Sequence, residues 1–309
     1  MTHWKPTAPL ANLRKRAQIL HDIRCFMQRG RVLEIESPMM SHSGGQDVNI
    51  ELIAADDLWL ASSPEFPLKR AVAAGYGDVY SLQRVFRAGE SGRRHNTEFT
   101  MLEWYRIGYS LEQLMSEVEA LCQSVVEMPP ATVKSYRALF LEYTGLDPFV
   151  ESDHGRLAEL GSNASGIGIE QLDVDGWLDV VFSHLIEPNL TAPTFVYNFL
   201  PSQAALSRIE VIDGIRTARR FELIWRGVEL ANGYHELNDE QEQRRRFAVD
   251  RARRSERDQP LYPIDDRFLE AVGHLPDCAG VAIGVDRLVM LACNTDTIDD
   301  VLLFPDRLS

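Results

Sequence analysis

The sequence predicts an α+β fold, with a mostly antiparallel sheet flanked by helices. Segments with strand patterns occur in runs, and helices are inserted between these runs instead of following every strand. The phosphate-binding patterns GxGxxG and GxxxxGK[ST] are both absent, which argues against a doubly wound parallel sheet of the dinucleotide-binding or P-loop type. The chain has 309 residues, of which 45% are hydrophobic, so it can bury a sizeable core.

The first half of the chain begins with a helix and continues mainly as strands. Residues 10–29 carry apolar side chains at helical spacing, and Gly30 ends this helix. "RVLEIESP" alternates as a strand does and stops at Pro38, whereas "SPEFPLKRAVAAGYG" predicts a turn and a helix capped by Gly75. "VYSLQRVFRAGE" and "EFTMLEWYRIG" predict two strands joined by a charged loop. Ser110 is the expected N-cap of the amphipathic helix that follows.

The second half is mixed at first and then returns to strands. Between residues 130 and 190 we expect helices, with a loop from Gly161 to Gly168 and a helix in "DGWLDVVFSHLIEPNL". "TFVYNF" and "RRFELIWRGVELANG" predict strands, and "NDEQEQRRRFAVDRARRSERD" predicts a long charged helix. "GVAIGVDRLVMLAC" predicts a strand, a glycine turn and a helix.

Charge and cysteine usage exclude several classes of function. The net charge is −14, which makes general nucleic-acid binding through a basic surface a poor expectation. The four cysteines are scattered without CxxC spacing, as expected in a reducing cytoplasm and not in a disulfide framework or a zinc site. The N-terminal stretch lacks an apolar signal core, and no apolar run reaches the length of a membrane span.

The stretch "VFRAGESGRRHNTEFTMLEWY" allows two interpretations. It places the cations Arg87, Arg93 and Arg94 near carboxylates and closes with aromatic residues. An amphipathic hairpin with a charged tip would explain the charges. A nucleotide site would explain the aromatic residues too, with cations for phosphates, a ring for a base and carboxylates for an amine.

A second acidic segment suggests a divalent cation. Glu222, Glu229 and Glu236 are seven residues apart, an odd spacing that places neighbours on opposite faces of one flat strand. A bend at Gly227 or Gly233 would realign them. The alternative is a half-exposed strand with solvated acids. Carboxylate oxygens suit Mg²⁺, which shares its ligands with water and substrate phosphates.

Arginines, carboxylates and a stacking ring together indicate nucleotidyl transfer, in which a carboxylate attacks the α-phosphate of ATP. Arg287 opens the helix of "GVAIGVDRLVM" and would contribute to this chemistry. The alternative is that Arg287 simply pairs with Asp286 at the end of the helix.

These segments resemble a known family. "IESPMM", "FRAGE…RRHNTEFTMLEWY" and "GVAIGVDRL" resemble motifs 1, 2 and 3 of class II aminoacyl-tRNA synthetases, and "ELANGYHELND" is most similar to the lysyl branch. The motif 1 helix starts near residue 10, so we expect one catalytic domain over residues 1–309 and no anticodon-binding domain. In this the chain resembles the free-standing ligases that join (R)-β-lysine to elongation factor P, using ATP and Mg²⁺ and no tRNA.

The resemblance implies a role for individual residues. Arg87 and Arg287 would be catalytic, with Arg87 bridging the α-phosphate and the substrate carboxylate and Arg287 holding the γ-phosphate. Phe99 would stack on adenine, and Glu222 and Glu229 would hold Mg²⁺. Asn232 would contact the substrate carboxylate, and several carboxylates would hold the two ammonium groups of lysine or (R)-β-lysine. The full ATP-binding set is Arg87, Gly89, Glu90, His95, Asn96, Phe99, Glu229, Leu230, Gly284 and Arg287, and the substrate-binding set is Ser63, Glu65, Glu103, Tyr105, Asn232, Glu236 and Ala282.

The chain departs from the lysyl-tRNA synthetase pattern at several positions. Ala282 replaces a glycine of motif 3, which would reshape the pocket near the substrate amine and favour a β-amino acid. Gly89 stands where motif 2 usually has Glu, so Glu90 or the Gly89 backbone would meet the adenine edge. Thr97 replaces the usual Pro.

Three further expectations concern partners and alternatives. The motif 1 resemblance at Pro38 predicts a twofold homodimer. The basic run from Arg244 to Arg254 is either a solvated, ion-paired helix face or a docking surface for an acidic partner such as elongation factor P. Alternatives to a protein-modifying ligase are a class II ligase with a small-molecule acceptor and a synthetase-like regulatory module without catalysis.

Overall fold

The computed structural model describes residues 4–308. These residues form two units: the first comprises the described residues before Met128 and after Glu236, and the second comprises Met128–Glu236. The helices in chain order are α1 (Leu10–Arg29), α2 (Glu65–Ala73), α3 (Leu111–Val126), α4 (Tyr136–Thr144), α5 (Glu151–Ser165), α6 (Val174–Val181), α7 (Glu240–Glu256), α8 (Asp266–Val272) and α9 (Val285–Cys293). The strands are β1 (Leu33–Glu34), β2 (Met40–Ser41), β3 (Ala54–Ala55), β4 (Leu58–Leu60), β5 (Val79–Phe86), β6 (Glu98–Ile107), β7 (Thr132–Ser135), β8 (Thr194–Phe199), β9 (Ile209–Ile212), β10 (Ile215–Ile224), β11 (Glu229–His235) and β12 (Cys278–Gly284).

The sheet of the first unit confirms the predicted antiparallel hairpin. β5 pairs with β6, and β6 pairs with β12, both antiparallel, whereas the short β1 pairs with β5 in parallel. Leu82 is the direct cross-strand partner of Leu102, and Leu102 and Trp104, which share one face of β6, are fully buried. β2, β4 and β3 form a separate small antiparallel sheet.

A buried ion pair fixes the helices of the first unit against β6. The Arg16 guanidinium of α1 pairs with the carboxylate of Asp286 at the start of α9. Arg16 also donates to Thr100 Oγ1 at 2.7 Å, and the same Asp286 carboxylate accepts the Thr100 backbone N–H at 2.6 Å. Both oxygens of the Asp286 carboxylate are therefore engaged, one by Arg16 and the other by the Thr100 backbone.

Helix α3 has the predicted N-terminus. The Ser110 side chain accepts the Gln113 N–H, and the Gln113 side chain accepts the Ser110 N–H, so the two residues form a reciprocal capping box.

The charged helix α7 confirms the ion-paired interpretation of its basic run. Arg244 donates to Glu240 and Asp266, and Arg245 and Arg246 both donate to Glu242. These pairs bear out the ion-paired interpretation for Arg244, Arg245 and Arg246, whereas Arg251 and Arg254 donate to backbone carbonyl oxygens.

The second unit has its own apolar core, and its strands belong to the nine-stranded sheet that the described residues form. β10 is central, with β11, β8 and β9 all antiparallel to it, and β7 lies parallel to β8. The core packs Tyr136, Phe140, Phe182 and Phe199 with their ring centroids 4.6–6.4 Å apart. Together with the first unit, this arrangement bears out the α+β class.

The segment "RRFELIWRGVELANG" forms strands β10 and β11, joined by a turn in which Arg226 and Gly227 have φ values of +55° and +62°. The expected bend at Gly227 is confirmed. The loop expected from Gly161 to Gly168 begins later than predicted, because α5 continues to Ser165 and Gly166 is its C-cap. Gly161 lies inside α5, where a Cβ would come within 2.7 Å of the Trp177 ring, so it is a close-packing position.

Candidate active site

One face of the first unit's sheet carries several of the predicted site residues. Side chains two residues apart on a strand share a face, so Phe99, Glu103 and Tyr105 of β6 lie together. Ala282 on β12 is the direct cross-strand partner of Glu103, and Ser81 on β5 is its partner on the other side. The methyl group of Ala282 therefore neighbours the Glu103 side chain, whereas Gly284 further along β12 is opposite Met101.

Arg87 lies at the end of this face and stacks on an aromatic ring. Its guanidinium carbon is 5.2 Å from the centroid of the Phe99 ring. Its Nε donates to the Ser62 carbonyl oxygen at 3.4 Å, and its Nη1 is 3.4 Å from Glu90 Oε1. Glu90 therefore contacts Arg87 in this structure. The backbone of Gly89 is left-handed, with φ of +74°, which glycine tolerates best and which accounts for its place in this turn.

Arg287 and His95 are brought together at the tip of the hairpin, where the Arg287 guanidinium is hydrogen-bonded to the His95 ring. Asn96, in contrast, has its amide engaged by the protein. Its Nδ2 donates to the Glu98 carbonyl at 2.7 Å, and its Oδ1 accepts the Asp306 N–H at 2.9 Å. The contacts of Asn96 thus tie the hairpin loop to the C-terminal segment.

Four predicted substrate-binding residues form one hydrogen-bonded cluster. The Ser63 hydroxyl donates to Glu103 Oε2 at 2.7 Å, and the Tyr105 hydroxyl donates to Glu103 Oε1 at 2.6 Å. The Glu65 backbone N–H donates to the Ser63 hydroxyl at 2.9 Å. We call Ser63, Glu65, Glu103 and Tyr105 the amine pocket.

The carboxyl group of Glu103 is electrostatically unusual. Burial and, next, the charge of Glu65 raise the pKa of Glu103, which reaches about 8. The hydrogen bonds from Tyr105 and Ser63 and the charge of Lys69 act in the opposite direction. A buried carboxylate that lacks a full counter-charge is suited to bind a cation.

The sequence interpretation missed Lys69, which belongs to this cluster. Its Nζ lies 2.6 Å from Glu65 Oε1, and its side chain is 3% exposed. The signal was present in the sequence, because Glu65 and Lys69 are four residues apart on α2, a spacing at which opposite charges meet on a helix.

In the second unit, Glu222 and Asn232 are direct cross-strand partners on β10 and β11. Both contact Arg220, which the sequence interpretation also missed. Arg220 pairs with the Glu222 carboxylate and donates from Nε to Asn232 Oδ1 at 3.3 Å, while its guanidinium lies 4.6 Å from the Phe199 ring centroid. Because Arg220 precedes Glu222 by two residues, both share one strand face.

The carboxyl groups of Glu222 and Glu229 are close enough to interact. Burial raises the pKa of Glu222, the Arg220 charge lowers it and the charge of Glu229 raises it, and together these effects bring the pKa to about 7. Among residues 4–308, no group of three or more His, Cys, Asp or Glu side chains is arranged to hold a metal ion. A repelling carboxylate pair still fits Mg²⁺, which keeps waters and takes further oxygens from a phosphate substrate. The other predicted residues here, Leu230 on β11 and Glu236 just beyond it, are both buried.

Comparisons with known proteins agree with this geometry. The family model described as tRNA synthetases class II (D, K and N) matches residues 3–308. A curated protein of Haemophilus influenzae strain PittGG, named Elongation factor P–(R)-beta-lysine ligase, is 41% identical over 98% of both chains. The protein of the same name from H. influenzae strain ATCC 51907 is 40% identical over the same shares. The chain belongs to the class II tRNA synthetase family of the D, K and N type.

Proposed function

We propose that this chain is an ATP-dependent ligase that adenylates (R)-β-lysine, or lysine, and transfers it to the ε-amino group of a lysine on elongation factor P. The observation that carries the proposal is the amine pocket. A buried glutamate with two neutral hydrogen-bond donors lies on the same sheet face as a guanidinium stacked on an aromatic ring. The names of the 41% and 40% identical relatives support the amino acid and the acceptor.

In the first step, a carboxylate oxygen of the amino acid attacks the α-phosphorus of ATP. The new P–O bond forms as the bond to the β-phosphate oxygen breaks, and pyrophosphate leaves. We assign to Arg87 the stabilisation of charge at the α-phosphate, and to Arg287 and His95 contacts with the ATP phosphates. Phe99 offers its ring to the adenine base. Ser63, Glu103 and Tyr105 orient the amino acid through its ammonium group.

The second step needs no further cofactor. The neutral ε-amine of the acceptor lysine attacks the carbonyl carbon of the acyl adenylate, an amide bond forms, and AMP leaves with the electrons of the broken C–O bond. The amine loses a proton in the process. The protein accelerates this step mainly by holding the adenylate and excluding water.

We assign Mg²⁺ to Glu222 and Glu229 of the second unit. When bound, the ion supplies positive charge to phosphate oxygens. Arg220 holds the Glu222 carboxylate and the Asn232 amide oxygen in place, so that the Asn232 amide nitrogen remains as the donor for a carboxylate.

The homodimer and the absence of a tRNA substrate are parts of the same proposal. Leu33, Met39 and Met40 are about half exposed on either side of Pro38, and exposed apolar groups of this kind suit an interface between copies of the chain. A cytoplasmic location fits the four cysteines, all of which are free thiols. Among the described residues, no helix has the length and apolar character needed to cross a bilayer.

The deciding experiment is transfer of labelled (R)-β-lysine, with ATP and Mg²⁺, to elongation factor P and to bulk tRNA in parallel. We expect label on the protein and none on tRNA. Label on tRNA would contradict the acceptor. Pyrophosphate release without label on either would favour a class II ligase with a small-molecule acceptor, and no pyrophosphate release at all would favour the non-catalytic module.

The pH dependence of kcat/KM follows from Glu103. Its raised pKa means that the carboxyl group of the free protein is largely protonated at neutral pH and gains its negative charge only as the pH approaches about 8. Only the charged form neutralises an ammonium, so kcat/KM for (R)-β-lysine is expected to rise with pH and level off above about 8. Initial rates of pyrophosphate exchange between pH 6 and 9 would measure this. A profile already flat from pH 6 would contradict the role of Glu103.

Replacement of Ala282 by glycine is expected to shift substrate preference towards α-lysine. The Ala282 methyl group neighbours Glu103 across the β6–β12 pair, so its removal opens space beside the amine pocket. One methyl group in a pocket changes discrimination by about 10-fold or somewhat more. The ratio of kcat/KM for α-lysine to that for (R)-β-lysine, measured in A282G and wild type, tests this, and an unchanged ratio would contradict the pocket assignment.

A further inference from the structure

The amine pocket contains a cation of its own. Lys69 reaches Glu65 from one turn further along α2, with Nζ 2.6 Å from Glu65 Oε1. Its ammonium lies 5.8 Å from the ring centroid of Tyr105 and 6.0 Å from that of Phe268. The Lys69 side chain is 3% exposed and that of Glu65 is 19% exposed, so this pair is shielded from water far better than a surface ion pair.

The two carboxylates of the pocket are therefore not equivalent. Glu65 has a full positive charge in contact with one of its oxygens, whereas Glu103 accepts hydrogen bonds from the neutral hydroxyls of Ser63 and Tyr105. With Lys69 included, Glu65, Glu103 and Lys69 sum to one negative charge when both acids are ionised. That charge matches a single ammonium.

We propose that Lys69 is a positioning residue that sets the charge of the amine pocket: it neutralises Glu65 and fixes its carboxylate, which leaves Glu103 as the charge that an incoming ammonium balances. This inference rests on the proposed function, because it concerns the same substrate. It adds Lys69 to the residues that recognise the amine, and it assigns Lys69 to Glu65 as an ion-pair partner within the protein.

The electrostatics of Glu103 agree with this role. The charged groups that face Glu103 are Glu65 and Lys69, both on α2, and the Tyr105 phenol lies beside it on β6. The charge of Glu65 raises the pKa of Glu103, and the charge of Lys69 lowers it. Without Lys69, the repulsion between the two acids is no longer offset, so Glu103 would hold its proton to higher pH.

The test compares Lys69→Met with wild type in ATP–pyrophosphate exchange driven by (R)-β-lysine, as a function of pH. We expect the pH at which kcat/KM rises to be higher in K69M than in wild type by about one pH unit or more. At pH 7, kcat/KM of K69M should be at least tenfold below the wild-type value, and this difference should become smaller at high pH. K69R, which keeps the charge, should stay close to the wild-type pH profile. The matched control is Lys134→Met, which removes a lysine from an exposed ion pair with Glu142 in the second unit and should leave the profile unchanged.

A double variant separates this role from a purely structural one and covers the case in which K69M does not fold. Glu65→Gln alone leaves Lys69 without its carboxylate beside Glu103, where it competes with the substrate ammonium. In E65Q/K69M, both charges are absent and the pocket returns to one negative charge. We therefore expect KM for (R)-β-lysine to be at least tenfold lower in the double variant than in E65Q.

The outcomes are distinguishable. Wild-type protein without amine-dependent exchange would contradict the proposed function and, with it, this inference. An active wild type with a K69M profile that superimposes on it would overturn the inference alone. The inference would also be overturned if the KM of E65Q/K69M for (R)-β-lysine were not lower than that of E65Q. If Lys69 served only in folding, its loss could not restore the amine binding that E65Q had lost.

Discussion

Replacement of Arg87 by alanine is expected to abolish adenylate formation while the fold remains intact. Arg87 is about a quarter exposed, and its guanidinium lies over Phe99, so the loss removes a charge at the proposed α-phosphate position and no core packing. A donor that stabilises transition-state charge contributes about 10²–10³-fold to kcat, and a full guanidinium should contribute at least as much. (R)-β-Lysine-dependent ATP–pyrophosphate exchange measures the loss, with thermal unfolding as the check on the fold.

Arg84 supplies the matched control for Arg87. It lies on β5, three residues before Arg87, and its side chain is 43% exposed and paired with the half-exposed Glu98. An exposed ion pair of this kind contributes about 0–1 kcal/mol to stability. Arg84→Ala should keep near-wild-type exchange activity. If R87A does the same, the assignment of the phosphate site is wrong.

Replacement of Glu103 by glutamine is expected to raise KM for (R)-β-lysine strongly and to remove the pH dependence below about 8. Glutamine keeps the shape of the side chain but cannot carry the negative charge that balances a buried ammonium. Breaking a buried charge pair by removing one partner costs about 3–5 kcal/mol, which corresponds to a loss of two to three orders of magnitude or more in amine affinity. Binding measured by calorimetry, and exchange kinetics over pH 6–9, would report both effects.

The KM for ATP provides the internal control for this variant. Glu103 belongs to the amine pocket, so the KM of E103Q for ATP should stay within about threefold of the wild-type value. A change that affects ATP and the amino acid equally would indicate general damage to the sheet face. A change in neither would contradict the role of Glu103 as a counter-ion.

The sequence predicted most elements of the first unit because their local signals agree with their tertiary environment. The capping box at Ser110 and Gln113 specifies the start of α3, and the charged loop between two strand segments specifies the hairpin of β5 and β6. The second unit was harder. Gly161 was expected to begin a loop, but its missing side chain allows close packing against Trp177 within α5, which depends on another segment and leaves no local signal.

The candidate site shows the same division between local and distant signals. Motif wording placed Arg87, Glu103 and Ala282, and the structure brings Glu103 and Ala282 into direct cross-strand register. The motifs did not show which acidic residues already form ion pairs within the protein. Lys69 and Arg220 were missed because the family motifs do not include the cations that pair with Glu65 and Glu222. The spacings alone predict both pairs, four residues apart on a helix and two apart on a strand.

The ion pair between Lys69 and Glu65 also bears on chemical selectivity. An acyl adenylate acylates any amine that offers a lone pair, and an ammonium held against a carboxylate offers none. The chain contains only four lysines, and the one inside the amine pocket is held in this way. Glu65 thus holds the amine nearest to the proposed substrate site in an ion pair, and we expect the acceptor's lysine, and not Lys69, to be the nucleophile.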